Sequence, residues 1–379
     1  MKILFPGSGG KRETYHLMGE PLTVRKPKAA FNRVAFAAAP VIVDPLSTAG
    51  ALDWERTLAY RRELLAQGFG IAEAMDTSQR GMGLDWRQAL ELIERSLANA
   101  GDDAARIYSG CGTDHLAAAD ARSLDDVIRA YLEQLNAIQK LGGRVILMAS
   151  RALVRVAKTP DDYVAVYSRV LNEADQPVIL HWLGEMFDPA LKGYWGAEDF
   201  PDAAKTCLDV ISGNVAHVDG IKISLLDAQK EIIFRRQLPM GVKMYTGDDF
   251  NYAELIAGDE QGFSHALLGI FAAIAPAASR ALTALAKGDA KKFHKLLAPT
   301  VPLSRVIFQA PTQNYKTGIV FLSWLNGQQD HFIMVNGAQS LRPLSHFIEV
   351  FKLADQAGLL RDPELAVKRM KTLLALHGQ

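Results

Sequence analysis

The sequence predicts an α/β fold: a (β/α)8 TIM barrel with an N-terminal arm and a C-terminal helical extension, with boundaries at 1–32, 33–298 and 299–379. Two observations predict it. From residue 33 onward, short apolar runs alternate with amphipathic segments eight times in series. Strands alternating with helices build a parallel sheet, and eight such units close it into a barrel. After the eighth unit, the remaining segments carry helical periodicity only.

In order, the first strand is expected in "RVAFAAAPVIVDP" (33–45), followed by a helix in "WERTLAYRRELLAQG" (54–68), which a glycine stops. "GIAEAMD" (70–76) and the helix 85–101 form the second unit, and "ARIYSGCG" (105–112) begins the third. Its helix, 123–143, opens with Ser123 as N-cap. "RVILMAS" (144–150) precedes a helix over 159–174, with Thr159 as cap and Pro160 in the first turn. "PVILHWL" (177–183) precedes a helix over 197–214, and "VDGIKIS" (218–224) precedes 225–238. "VKMYTGDD" (242–249) leads to a short helix, and "GFSHALLGI" (262–270) leads to one long helix over 276–297. "KTGIVFLSWLNG", "PLSHFIEVFKLADQAGLL" and "PELAVKRMKTLLALHG" supply the C-terminal helices.

Composition narrows the function. Lys+Arg and Asp+Glu are equal at 42 each, so net charge gives no support for a nucleic-acid or acidic-membrane partner. No apolar run approaches a membrane span. The start, "MKILFPGSGGKRE", is too short in apolar character for a signal peptide, and Cys111 and Cys207 stand far apart without a metal spacing. A cytoplasmic protein with reduced thiols is expected. "FPGSGG" does not meet the dinucleotide-loop spacing, because Lys11 and Arg12 follow Gly10, and is expected as a surface hairpin or arm.

Residues at the C-terminal ends of barrel strands face the active site. Read in order they are Asp44, Glu73, Asp76, Ser109, Cys111, Ser150, Arg151, His181, Lys222, Tyr245, Asp248 and His265. Plain structural roles exist for several: His265 as a hydrogen-bonded strand residue, Asp248 and Asp249 as helix caps, Glu73 in an ion pair. Lys222 differs because it lies within a strand. Alternation sets it opposite Ile221 and Ile223, so it points into the barrel if they face the helices. There desolvation favours the neutral amine, a nucleophile toward carbonyls. The competing expectation is a lysine paired with Glu73 or an aspartate.

"VDGIKIS" followed some twenty residues on by "YTGDD" resembles the dihydrodipicolinate synthase/N-acetylneuraminate lyase superfamily, whose members carry a G-x-K strand and an SGDD-like turn. "GFSHALLGIFAAIAPAASRALTALAKGDAKKF" is similar to the family's eighth strand and helix, and "YKTGI" (315–319) falls in its usual place. "PVILH" and "RIYSGCGTD" occupy the places of the family's fifth and third strands. The similarity spans 33–345, is specific at strands six to eight, and looks most like a divergent, uncharacterised branch. It implies that Lys222 forms a Schiff base. His181 stands where the family has a proton-shuttling tyrosine, "MDTSQ" replaces the carboxylate-binding "GTTGE", and "SRALVR" replaces a tyrosine-rich turn.

The resemblance therefore implies a class I, metal-independent aldolase, lyase or dehydratase for a 2-oxo acid or keto sugar acid, without a cofactor. Lys222 is the expected nucleophile, His181 the general acid/base, and Tyr245 either its orienting partner or a donor to the leaving oxygen. Thr77, Ser78 and Arg151 are expected to hold the substrate carboxylate, with Glu73, Asp248 and His265 completing the substrate site. The small-molecule keto acid or sugar-derived substrate is the only partner expected besides further copies of the chain, as a dimer or tetramer. Two other readings stand beside this one. Glu73, His181, Asp248 and His265 can serve as divalent-cation ligands of an isomerase or epimerase, or the barrel binds a small molecule without chemistry. Trp182, Tyr194 and Trp195 are read as either a lid or packing.

Overall fold

The computed structural model describes residues 1–7, 11–27, 29–47 and 51–379. In chain order its strands are β1 (Lys2–Pro6), β2 (Arg12–His16), β3 (Ala35–Ala38), β4 (Gly70–Glu73), β5 (Ile107–Cys111), β6 (Arg144–Leu147), β7 (Val178–Leu183), β8 (Val218–Ser224), β9 (Lys243–Thr246) and β10 (His265–Leu268). Its helices are α1 (Trp54–Ala66), α2 (Trp86–Ala100), α3 (Leu124–Lys140), α4 (Arg151–Val156), α5 (Pro160–Leu171), α6 (Phe200–Gly213), α7 (Ala228–Arg235), α8 (Tyr252–Ala257), α9 (Phe271–Ala286), α10 (Ala290–Leu297), α11 (Thr300–Ile307), α12 (Tyr315–Leu325), α13 (Leu344–Gln356) and α14 (Pro363–Leu376). The chain divides into two compact units, Arg33–Ala39 with Gly70–Gly269, and Met1–Asn32 with Pro40–Phe69 and Ile270–Gln379.

The first unit contains all eight strands of a closed parallel barrel, in the order β3 to β10, with β10 pairing back onto β3. This is a (β/α)8 TIM barrel. Its strands are mostly apolar because side chains are buried on both faces. Phe36, Ala72, Tyr108, Ile146, Ile179, Tyr245 and Leu267 meet inside it, with Phe36 and Tyr108 edge to face at 4.8 Å. Gly220 makes room for this filling: a Cβ there would lie 2.7 Å from the Tyr245 ring and 2.4 Å from the Lys243 carbonyl oxygen. The glycine of the Gly-x-Lys sequence thus has a packing reason.

Local signals set the helix starts. Asp85 and Ser123 form capping boxes with Gln88 and Asp126. Asp199 caps α6 and Asp227 caps α7. Helix α4 begins at Ser150, whose Oγ accepts from Leu153 N at 3.0 Å, and was not expected from the sequence. In this unit Glu231 of α7 is buried, accepting from Thr246 Oγ1 at 2.8 Å and Ser264 Oγ at 2.6 Å. Burial pushes its carboxyl up to about 8. The folded state therefore holds a proton that the unfolded chain releases above ordinary carboxylate pKa values. This contribution is full in acid and fades as pH rises toward about 8, on the order of 5 kcal/mol. Melting temperatures of wild type and Glu231→Gln, measured from pH 5 to 9, should converge in acid, with the variant more stable in base. Parallel curves would refute the assignment.

The second unit holds the antiparallel β1–β2 hairpin and helices α1 and α9–α14. Residues 8–10, in the glycine-rich stretch between these strands, lie outside the described residues. Asp355 of α13 anchors the hairpin's exit, accepting from Tyr15 Oη and Met18 N, each at 2.9 Å. The single helix expected over 276–297 is two. Gly288 takes φ +79, and Asp289 caps α10 by accepting from Lys292 N. Among the described residues no helix is long and apolar enough to cross a membrane.

Candidate active site

The register sets which side chains enter the barrel. His181 pairs with Lys222, and Lys222 with Tyr245, whose ring belongs to the interior cluster. Paired residues of parallel neighbours share a face, so Lys222 and His181 also point inward. Lys222 is 8% exposed. Among the described residues it makes no hydrogen bond and no ion pair within 4 Å. Burial lowers its pKa, and the carboxylates of Asp76 and Asp249 only partly oppose this. His181 is buried as well. Burial, the largest cause, holds it well below the ordinary imidazole value, so it is a neutral base.

A cavity of about 200 Å³ opens at the C-terminal end of the barrel. His181, Asp76, Arg80, Asp114, Arg151 and Asp188 line it, together with Met148 and Leu183. Arg151 is half exposed and donates from Nε to Asp188 at 2.6 Å. Arg80 is buried and forked: Nε and Nη2 donate to Asp114 at 2.8 and 2.7 Å, Nη2 also to Gln134 Oε1, and Nη1 to the carbonyls of Ala74 and Gly110. Gly247, in the turn after β9, matters to the site. A Cβ there would fall 2.2 Å from Ser224 Oγ, 2.7 Å from Ile223 O and 2.7 Å from Lys222 Cε. Gly247→Ala is expected to displace the lysine and serine, slowing any reaction at Lys222 about tenfold to a hundredfold. Reductive trapping rates on the folded variant measure this.

Several residues expected in the site lie elsewhere. Glu73 pairs with Ser109 on the outward face, accepting from Ser96 Oγ of α2 at 2.6 Å. His265 is the first residue of its strand, at the barrel end opposite the cavity, and Nδ1 accepts from Val34 N at 2.9 Å. Burial, Lys243 and Arg33 lower it to about 4. Tyr245 faces inward, but its hydroxyl donates to Asp219 Oδ2 at 2.6 Å, near the start of β8 and away from the cavity. Asp248 accepts from Phe250 N at 2.8 Å and Asn251 N at 3.0 Å, closing the turn before α8. Of the Asp76–Ser78 turn, only Asp76 lines the cavity; Thr77 is buried and Ser78 Oγ donates to Ala39 O at 2.8 Å. Glu73, His181, Asp248 and His265 therefore do not converge, which overturns the metal-ligand expectation for that set. Among the described residues no group of three or more His, Cys, Asp and Glu side chains is placed to hold a metal ion.

The aromatic cluster is packing. Trp182 stacks on Phe200 at 5.7 Å, and Tyr194 Oη meets Tyr167 Oη at 2.8 Å. Trp195 is fully buried. Both cysteines are free and buried, and burial raises the Cys111 thiol to about 12. Sequence reading overlooked Arg80, Asp114, Asp188 and Ser224. Only Ser224 carried a signal, since it lies two residues after Lys222 and so shares its face.

Comparison with solved structures returns the same architecture. Dihydrodipicolinate synthase from Aquifex aeolicus is similar at a TM-score of 0.66 and 12% identity, covering 86% of this chain and 99% of that one. YagE, a prophage protein of the dihydrodipicolinic acid synthase family from E. coli K12, solved with pyruvate, gives 0.67 and 14% with the same coverage. The chloride-inhibited dihydrodipicolinate synthase from Acinetobacter baumannii, complexed with pyruvate, gives 0.61 and 17%, again over 86% of this chain and 99% of that one. No curated protein matches the sequence. At these identities the likeness is one of fold. A family model described as "Protein of unknown function (DUF993)" matches residues 3–379. On a dihydrodipicolinate synthase-like barrel, the chain belongs to the DUF993 family.

Proposed function

We propose that the protein is a class I, Schiff-base aldolase, lyase or dehydratase acting on a 2-oxo acid or keto sugar acid through Lys222. One observation carries the reading: a lysine inside the barrel, buried, with no ion pair to hold it charged. A structural lysine in such a place would be paired, because an isolated buried ammonium is costly. Two of the structural relatives were solved with pyruvate bound, which supports the substrate class.

The neutral Lys222 Nζ attacks the keto carbon, forming the C–N bond while the carbonyl π pair moves to oxygen. A proton passes from nitrogen to that oxygen, and a second proton taken up from solvent lets the hydroxyl leave as water when the C–O bond breaks. The resulting iminium withdraws electrons from the neighbouring carbon. Cleavage of a C–H or C–C bond there gives the enamine. His181, neutral through burial and lining the cavity, takes the proton released and returns it later. Asp76, whose charge acts on Lys222, stabilises the iminium that replaces the amine. At the mouth, Arg151 is half exposed and paired with Asp188, and a substrate carboxylate would take the place of Asp188 on its guanidinium.

Incubation with a panel of 2-oxo acids, reduction with borohydride and intact-mass measurement test the proposal. One acid should add the mass of its reduced skeleton, stoichiometrically and only with reductant. Absence of an adduct across the panel would contradict it.

A further inference from the structure

Next to Lys222 stands a hydroxyl that the proposed chemistry has not yet used. Ser224, two residues on in β8, is buried on the same inward face. Its Oγ lies 3.3 Å from His181 Nε2 across the β7–β8 pair. Among the described residues that imidazole is the hydroxyl's only hydrogen-bond partner. Ser224 Oγ and Lys222 Cε also share one small space, since both lie within 2.7 Å of the point where a Cβ on Gly247 would sit. Imidazole, hydroxyl and amine are thus neighbours, and of the three residues His181 lines the cavity.

The two ring nitrogens are not equivalent. Nε2 is occupied by Ser224, while Nδ1 makes no hydrogen bond among the described residues, on a residue that lines the cavity. A neutral imidazole carries one proton. If that proton sits on Nε2, it is donated to Ser224 Oγ and Nδ1 presents a lone pair. If it sits on Nδ1, the base is directed at a serine and cannot reach substrate.

We propose that Ser224 is a positioning residue that holds His181 in the Nε2–H tautomer, so that Nδ1 is the atom that takes and returns the substrate proton. The role of Nδ1 rests on the Schiff-base reading; the tautomer does not. In the proton-transfer step the C–H bond next to the iminium breaks, its electron pair forms the enamine C=C, and the proton binds Nδ1. The imidazolium that results keeps its Nε2–H bond to Ser224 Oγ. When the enamine is protonated, the same proton returns from Nδ1 to carbon.

Two measurements decide it, on the full chain and on Ser224→Ala, which removes only the hydroxyl. Nitrogen-15 NMR of histidine-labelled protein should show His181 as the single Nε2–H tautomer in wild type and a mixture in S224A. A wild-type Nδ1–H tautomer, or an unchanged spectrum in S224A, overturns the proposal. With pyruvate as probe, S224A should slow deuterium exchange of the methyl protons about tenfold, while the borohydride-trapped adduct forms in equal yield. Equal exchange rates overturn it. If wild type forms no adduct with pyruvate, the Schiff-base reading fails for that probe, and the tautomer measurement alone still decides the place of Ser224.

Discussion

Lys222→Met is expected to abolish adduct formation and turnover while raising the melting temperature. The two effects have one cause. Lys222 occupies a buried inward position of β8, between His181 and Tyr245 of the neighbouring strands. Burial opposes its charge, and no ion pair compensates. Methionine has a similar length and no such penalty, so the variant should be more stable by about 1 to 3 kcal/mol. Without the amine no covalent intermediate forms, and the rate should fall about ten-thousandfold or more. The sign with pH follows the same logic. A lysine with a lowered folded pKa is most stabilising above its unfolded value near 10.5 and loses that contribution as pH falls through the folded pKa. The margin of Lys222→Met over wild type should therefore widen toward neutral pH. Thermal melts against pH check this, and a less stable variant would mean that the lysine has a structural partner.

Arg80→Met is expected to cost about 3 to 5 kcal/mol of stability, for the opposite reason. Arg80 is buried and fully engaged, with both oxygens of Asp114, the Gln134 side chain and two backbone carbonyls as acceptors. Removing it leaves Asp114 without the guanidinium that now holds its carboxyl below the usual range. It also leaves the Ala74 and Gly110 carbonyls without this donor. Adding Asp114→Asn should recover part of the loss, so the double variant costs less than the two single losses together. Urea unfolding of the four proteins measures the coupling, and strict additivity would show that the pair is not a unit.

How much of this was readable in advance depended on whether a strand's limits were readable. Val218–Ser224 has the limits that the sequence predicts for it, and alternation within it sets Lys222 opposite Ile221 and Ile223. Applied to Gly70–Glu73, the same alternation sends Ala72 inward and Glu73 toward α2, which a tally of polar residues at strand ends misses. His265 was misplaced because "GFSHALLGI" is apolar on both sides of the histidine, so nothing marked it as the strand's first residue. Composition cannot tell the mouth of a barrel from its base. Tyr245 shows a further limit: its position was legible, but its hydroxyl follows Asp219, a partner on the neighbouring strand. The Arg80–Asp114 pair joins segments thirty-four residues apart, and no local pattern announces it. Helix starts were the opposite case, since Ser123 with Asp126 and Asp85 with Gln88 write their caps within four residues.

The account stands on Lys222 being the amine that bonds to substrate. Its most direct test is peptide mapping of the protein after borohydride reduction with pyruvate, or with whichever 2-oxo acid gives the intact-mass adduct. The predicted result is one modified peptide, spanning Val218–Ser224, with the added mass on Lys222 and none in Lys222→Met. An adduct confined to exposed lysines, or one that survives in Lys222→Met, would contradict it.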